Sequence, residues 1–238
     1  MPDYFDIYQH HVAEYDLLVQ REDYQHRLFQ ALNRIIPFQG LDVVEFGAGT
    51  GRLTCLLAPV VRSIRAYDSS QPMLDVAAAK LHNSAAQNWH LAVGDHRRIP
   101  TASGSADVAL SGWSMCYLAL EKAADWQLEL DRGLQEMQRV LRPQGARIII
   151  ETLGTGRETP EPPPDLREYF EFLERRGFQR DWIRTDYLFQ DMDEAQSLTR
   201  FFFGEEMIGK IRENEQGIIL PECTGLWWQI HHSKETTQ

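Results

Sequence analysis

Val43-Val-Glu-Phe-Gly-Ala-Gly-Thr-Gly-Arg-Leu-Thr54 decides how the rest of this chain is read. Its first half is an apolar run suited to a buried strand, and its second half opens a helix. Gly47, Gly49 and Gly51 remove Cβ atoms where the chain turns sharply, so a ligand can approach the backbone closely. The helix behind the turn offers unpaired N–H groups and a positive dipole end, which favour a carboxylate. Asp68 follows 21 residues after Gly47, at the end of the stretch SIRAYD (63–68). An acidic residue at that distance, ending the second strand, is placed to accept both hydroxyls of a ribose. A lone aspartate there can also cap a helix, as can Ser69 or Ser70.

Outward from this stretch the chain alternates. Before it, Tyr4, Tyr8, Val12 and Tyr15 give 3–19 a helical face, and a second helix is expected over Asp23–Ile36, closed by Pro37 and Gly40. After it come a helix from PMLDVAAAKLH (72–82), strands from WHLAVGD (89–95) and ADVALSG (106–112), and an amphipathic helix over 122–141. Arg142-Pro-Gln-Gly145 reads as a turn before a fifth strand, ARIIIETL (146–153), apolar enough to be central. The Pro-rich TGRETPEPPPD (155–165) is a connector, followed by a helix over 166–176. FQRDWIRTDYLF (178–189) is expected as a sixth strand. Asp191 and Asp193 are candidate caps for helical material to about Glu213, and GIILPECTGLWWQIHH (217–232) is a last strand that Pro221 interrupts.

Strand–helix alternation of this kind builds a mostly parallel sheet with helices on both faces. The expectation is one α/β domain over 1–238: a helical cap (1–40), a core (41–154), and final strands (155–238) with an inserted helical lid at 190–215. The last strand is expected to be antiparallel.

Composition narrows the function. A formal net charge of −11 gives non-specific phosphate binding no help, which disfavours a nucleic-acid substrate. The start, MPDYFDIYQHH, lacks the basic and apolar parts of a signal peptide, and no apolar run approaches the roughly 20 residues of a membrane span. A cytoplasmic protein is expected. Cys55, Cys116 and Cys223 are widely spaced with no CxxC pair, so neither structural zinc nor a disulfide framework is expected. No His₂-carboxylate spacing appears and no metal is assigned.

In sum, VEFGAGTG, AYDSSQPML, GDHRRIP, ADVALSGWSMCYL and RVLRPQGARIIIETLG, in this order over 41–154, resemble the class I S-adenosylmethionine-dependent methyltransferases of small-molecule type, with their E-x-G-x-G-x-G loop. The resemblance implies a Rossmann-like, doubly wound α/β fold. It implies that Gly47, Ala48, Gly49 and Gly51 surround the methionyl part of S-adenosylmethionine, with Glu45 nearby. Asp68 would take the ribose, Ser69 and Met73 would flank the adenine, and Asp95 would accept its amino group with His96 alongside. Ser111, Gly112 and Trp113 would lie below the sulfonium. His96 replaces a common small residue and RPQG replaces RPGG. A nicotinamide-binding G-x-G-x-x-G is excluded because Arg52 stands where its third glycine belongs.

Catalysis is less legible. Transfer to oxygen or to many nitrogens requires removal of a proton. His10, His11, His96, His231 or His232, and Tyr117, are candidate bases. Tyr8, Tyr15, Trp113 and Tyr117 could wall the substrate, or simply pack. Adjacent residues in a strand face opposite ways, which holds for His231-His232 and for Trp227-Trp228. Phe201-Phe-Phe203 reads as packing of the lid. The expected acceptor is a small molecule bearing an O, N or C nucleophile. A tRNA- or protein-directed enzyme and a non-catalytic S-adenosylmethionine binder are the alternatives, and the sequence leaves the oligomeric state open.

Overall fold

A computed structural model describes residues 4–120 and 125–230. Seven strands form the main sheet: β1 (Asp42–Phe46), β2 (Ser63–Asp68), β3 (Trp89–Val93), β4 (Ala106–Gly112), β5 (Leu141–Thr155), β6 (Gln179–Arg184) and β10 (Glu222–Ile230). Their order is β3-β2-β1-β4-β5-β10-β6. β1 pairs in parallel with β2 and β4, β2 with β3, and β4 with β5. β10 runs antiparallel between β5 and β6. This is the expected Rossmann-like sheet with its antiparallel last strand.

The pleat sorts side chains to two cores. Val44 and Phe46 of β1 pack with Leu130, Leu134 and Met137 of α7 (Trp126–Val140), and with Tyr169 and Phe170 of α8 (Arg167–Arg175). Val43 packs the other way, with Leu28 and Leu32 of α3 (Arg27–Ile35) and Leu53 and Leu57 of α4 (Arg52–Leu57). At the opposite end from the glycine turn, Arg62 and Arg142 both bind the Asp42 carboxylate, and Arg142 also holds Asp107 at 2.7 Å. These ties lock β1, β2, β4 and β5 together at the base and hold the Asp42 carboxyl well below the usual carboxylate range.

Several boundaries depart from expectation. The 3–19 helix is two, α1 (Tyr4–His10) and α2 (Val12–Arg21), broken at His11. Asp23 lies outside α3 at φ +58° and caps it, accepting from the N–H groups of Arg27 and Leu28 at 2.9 and 3.0 Å. The 142–145 turn is a bulge inside β5, with Gln144 at φ +72°, and pairing to β4 shifts register across it. Residues 178–189 are two strands in different sheets, because the chain leaves β6 at Thr185-Asp186. Pro221 likewise divides the last stretch. The second sheet, β7 (Tyr187–Phe189), β9 (Gly217–Leu220) and β8 (Arg212–Asn214), is antiparallel and was not expected. The inserted lid is therefore helical only through α9 (Met192–Phe203) and a 3₁₀ turn to Lys210. Asp191, not Asp193, caps α9, accepting from the Glu194 N–H at 2.8 Å.

α2 ties these parts together. Asp16 binds Lys80 of α5 (Gln71–His82) at 2.6 Å, and Arg21 binds Glu194 of α9 at 2.6 Å. Leu18 is buried with Tyr187, Phe189, Ala195 and Leu198. Among the described residues no helix is long and apolar enough to cross a membrane.

Candidate active site

The glycine turn is held by its own chain. The N–H groups of Gly47 and Ala48 both donate to the Tyr67 carbonyl, at 2.7 and 2.9 Å. That of Gly49 donates to Asp68 Oδ2 at 2.8 Å, and that of Gly51 to the Ala48 carbonyl at 2.8 Å. These four groups already have partners within the chain. Gly47, Gly49 and Gly51 all have positive φ, as the turn requires. A Cβ on Gly47 would lie 2.2 Å from Ser114 Oγ, whereas one on Gly49 would meet only the Tyr15 hydroxyl, at 4.0 Å. The open side of the turn is therefore at Gly49. Within the same turn the Thr50 hydroxyl is buried and has no partner among the described residues.

Asp68 ends β2 beside that open side. Its second oxygen accepts from the Ser70 N–H at 2.8 Å. A carboxylate oxygen accepts more than one hydrogen bond, so both keep capacity for ribose hydroxyls. Ser70 caps α5, and its hydroxyl donates to the Tyr8 carbonyl at 2.7 Å, joining α1 to this edge. Ser69 is exposed and Met73 buried. Asp95 is exposed and bound by Arg97, whose guanidinium also reaches Glu129 at 3.0 Å. That ion pair holds the Asp95 carboxyl below its ordinary range.

Glu45 points into the core and accepts from the Thr54 hydroxyl at 2.6 Å. Burial pushes its carboxyl up to about 8, so it is neutral at pH 7. Ser111 is buried, and its hydroxyl meets Ser114 Oγ at 2.8 Å. Ser114 donates to the Phe46 carbonyl and lies 3.1 Å from His96 Nε2. It is thus the hub linking the turn, β4 and the His96 loop. Sequence reasoning missed it, although the missing Cβ of Gly47 is what makes room for it.

The candidate bases separate. His96 sits at the site, with its pKa lowered by burial. His10 is exposed, and His11 lies at the helix break within 3.7 Å of Asp6 and Glu14. His231 and His232 lie outside the described residues. Tyr8 and Tyr117 share a hydrogen bond, and Tyr15 stands 5.3 Å from Tyr8 between ring centroids. Tyr4 and Phe202 complete this cluster. Burial raises the pKa of all four tyrosines, so their hydroxyls are neutral donors. Trp113 is not part of it. Held at φ +49°, it packs towards α3 and α4 with the Arg52 guanidinium 4.0 Å from its ring.

Behind Trp113 lies a buried polar cluster that the sequence did not announce. Arg52 pairs with Glu22 at 2.5 Å, Glu22 accepts from the Thr185 hydroxyl at 3.0 Å, and Thr185 meets the Thr224 hydroxyl at 2.5 Å. Thr152 donates to Glu222 at 2.6 Å. Its members come from distant parts of the chain, so no local spacing marks it.

A second buried carboxyl, Glu151, fixes the loop before α6 (Tyr117–Leu120) by accepting from the Cys116 N–H at 3.0 Å and the Tyr169 hydroxyl at 3.1 Å. Burial pushes it up to about 7 from 4.5. The folded state therefore keeps a proton that the unfolded chain has lost, and this carboxyl costs stability as pH rises from about 4.5 to 7. Glu151→Gln keeps both accepted bonds and cannot ionise. Relative to the wild type it should gain stability between about pH 5 and pH 8, by at most about 3 kcal/mol, in denaturant unfolding. An equal difference at both pH values would contradict this account.

The glycine turn, the acidic end of β2 and the sheet order now stand together with what the chain is similar to. A methyltransferase-domain family model matches residues 44–149. Over those residues the chain is similar to the S-adenosylmethionine-dependent methyltransferases. An uncharacterized methyltransferase of Geobacillus kaustophilus is 27% identical over 181 residues, 74% of this chain and 76% of that one. The demethylmenaquinone methyltransferase of Lactococcus lactis is 32% identical over 54% of this chain and 49% of its own. In fold, the chain resembles an S-adenosylmethionine-dependent methyltransferase from Aquifex aeolicus, with a TM-score of 0.54 at 16% identity, covering 85% of this chain and 88% of that one. The cofactor that this likeness implies is S-adenosylmethionine. The open side at Gly49, the orphaned Thr50 hydroxyl and the spare capacity of Asp68 fit it.

Proposed function

We propose that this methyltransferase acts on a small molecule, enclosed between the C-terminal edge of the sheet and a lid made of α1, α2 and α9. The carrying observation is the tyrosine cluster. Tyr4, Tyr8 and Tyr15 reach from the N-terminal helices to Tyr117 and to Phe202 of α9, and Tyr15 comes to within 4.0 Å of the open side of Gly49. Such a cover suits an acceptor of a few rings better than a polymer. The acidic net charge and the quinone named for the Lactococcus lactis relative agree with this.

On this reading Asp68 and Gly49 orient the cofactor, which supplies an electrophilic methyl group. The neutral tyrosines exclude water from it and hold the acceptor in line. Ser111, Ser114 and His96 keep the floor of the site in one arrangement. Residues 1–40 and 190–215 would then be cover, and 41–154 the cofactor-binding core.

A screen for S-adenosylhomocysteine release tests this directly. Phenols, quinols, amines and carboxylic acids are expected to include at least one acceptor, while bulk tRNA and denatured protein give none. Turnover confined to tRNA or protein would overturn the small-molecule reading.

A further inference from the structure

Glu222 is 1% exposed, at the start of β10 and opposite Thr155 at the C-terminal end of β5. One carboxyl oxygen, Oε1, accepts from the Thr152 hydroxyl, and the residue's own N–H donates to Asp186 at 2.9 Å. The other oxygen, Oε2, is buried and has no hydrogen-bond partner among the described residues. Buried polar atoms are nearly always paired, so such an orphan needs an explanation.

Its surroundings point to one. Strands neighbouring in a sheet lie about 4.8 Å apart, so β10 stands roughly 10 Å from β4, whose end carries Trp113. β5 lies between them, and Glu222 begins β10 at the same edge of the sheet as the glycine turn. The charged groups facing Glu222 are few. From just past the end of α2 comes Glu22, from α4 comes Arg52, and from the β6–β7 connection comes Asp186, with Tyr187 on β7. Arg52 is paired with Glu22, and Asp186 with Arg184 at 2.7 Å. Among the described residues Glu222 has no ion pair, and Arg52 acts on it only through space. Arg52 also keeps one buried nitrogen, Nη2, without a partner.

We propose that the acceptor is a hydroxyl or amine compound and that Glu222 accepts first its hydrogen bond and then its proton through Oε2, as the catalytic base. This rests on the small-molecule reading above. The O–H or N–H bond breaks and its proton passes to Oε2. The freed electron pair bonds to the methyl carbon while the carbon–sulfur bond breaks, its electrons staying on sulfur. The products are the methyl ether or methylamine, S-adenosylhomocysteine and a Glu222 carboxylic acid, which returns its proton to water. Burial and the Glu22 carboxylate raise the pKa of Glu222, with the Thr152 and Thr155 hydroxyls and then Arg52 opposing. The working carboxylate form therefore grows as pH rises, and so should the rate.

Two measurements test this, one of them independent of turnover. In infrared titration of the S-adenosylhomocysteine complex over roughly pH 6–10, the wild type should show a protonated-carboxyl band that disappears as pH rises. The band should be absent in Glu222→Gln and should persist to higher pH in Thr152→Val, which lacks the hydroxyl donated to Oε1. With catechol, phenol and benzylamine as probe acceptors, the wild-type rate should climb with pH on at least one. Glu222→Gln should lose about a hundredfold or more and its pH dependence, Glu222→Asp should recover part, and Thr152→Val should shift the climb to higher pH. Calorimetric affinity for S-adenosylhomocysteine should match wild type in Glu222→Gln, which separates a lost base from a lost cofactor site. A Glu222→Gln rate within about threefold of wild type, an infrared band that survives in that variant, or no transfer to any of the three probes would overturn the proposal. Turnover confined to tRNA or protein, with the Glu222 band present, would instead count against the small-molecule reading.

Discussion

Asp68→Ala is expected to weaken S-adenosylhomocysteine binding by at least about tenfold, in a protein that remains folded. Two hydrogen bonds from ribose hydroxyls to a carboxylate would be lost, each contributing about 1.5–3 kcal/mol at most, and a tenfold loss corresponds to only about 1.4 kcal/mol. The structure adds a second route. Asp68 also holds the N–H groups of Gly49 and Ser70, both at 2.8 Å, so alanine releases the open side of the turn and the entry to α5 together. Asp68→Asn keeps one acceptor oxygen and should fall between the two proteins. Titration calorimetry gives the affinities, and circular dichroism checks the fold. Should Asp68→Ala bind as tightly as wild type, the residue would be a cap for the turn and α5 and nothing more.

Gly49→Val should abolish detectable cofactor binding and leave the fold close to wild type. At φ +53° a branched residue costs roughly 1–2 kcal/mol of backbone strain, which an α/β sheet of this size tolerates. The protein offers the new side chain no clash, since the nearest atom to its Cβ is the Tyr15 hydroxyl at 4.0 Å. What the valine fills is the space bounded by Tyr15 and Asp68, where the methionyl group is expected. Gly47→Ala should behave in the opposite sense. Its Cβ would lie 2.2 Å from Ser114 Oγ, so it should disturb the packing of Ser114 and lower the melting temperature. Normal binding by Gly49→Val, measured by calorimetry, would move the cofactor away from this turn.

The fold around the glycine turn was legible because its determinants are local. β1, the glycine turn and the start of α4 occupy consecutive residues, and Asp68 follows one strand later. Burial on both faces makes strands such as β4 and β5 read as apolar runs. What escaped was built from distance or from backbone conformation. Alternating character continues through Thr185-Asp186, so nothing in the composition of 178–189 separates β6 from β7. Trp113 ends the expected strand, yet its positive φ turns it away from the tyrosines. The polar cluster joins residues 22, 52, 152, 185, 222 and 224, each unremarkable in its own stretch. The N–H groups of Gly47 and Ala48 turned out to be engaged by the Tyr67 carbonyl, a partner that only the pairing of β1 with β2 could bring into place.

The placement of β10 has a consequence for how the chain is made. Among the described residues β6 pairs with no strand but β10, and β10 is also the outer neighbour of β5. Synthesis from the N-terminus delivers β1 to β5 first, and they can assemble in order. The open edge of β5, with Ile148, Ile149 and Ile150 at its middle, then waits for residues 222–230. At roughly 5–20 residues per second that wait lasts seconds, with β6 already made and unpaired. An apolar strand edge exposed for that long is a template for pairing with other chains. The nascent protein is therefore expected to need chaperone protection at this stage, and truncations that end before β10 should aggregate.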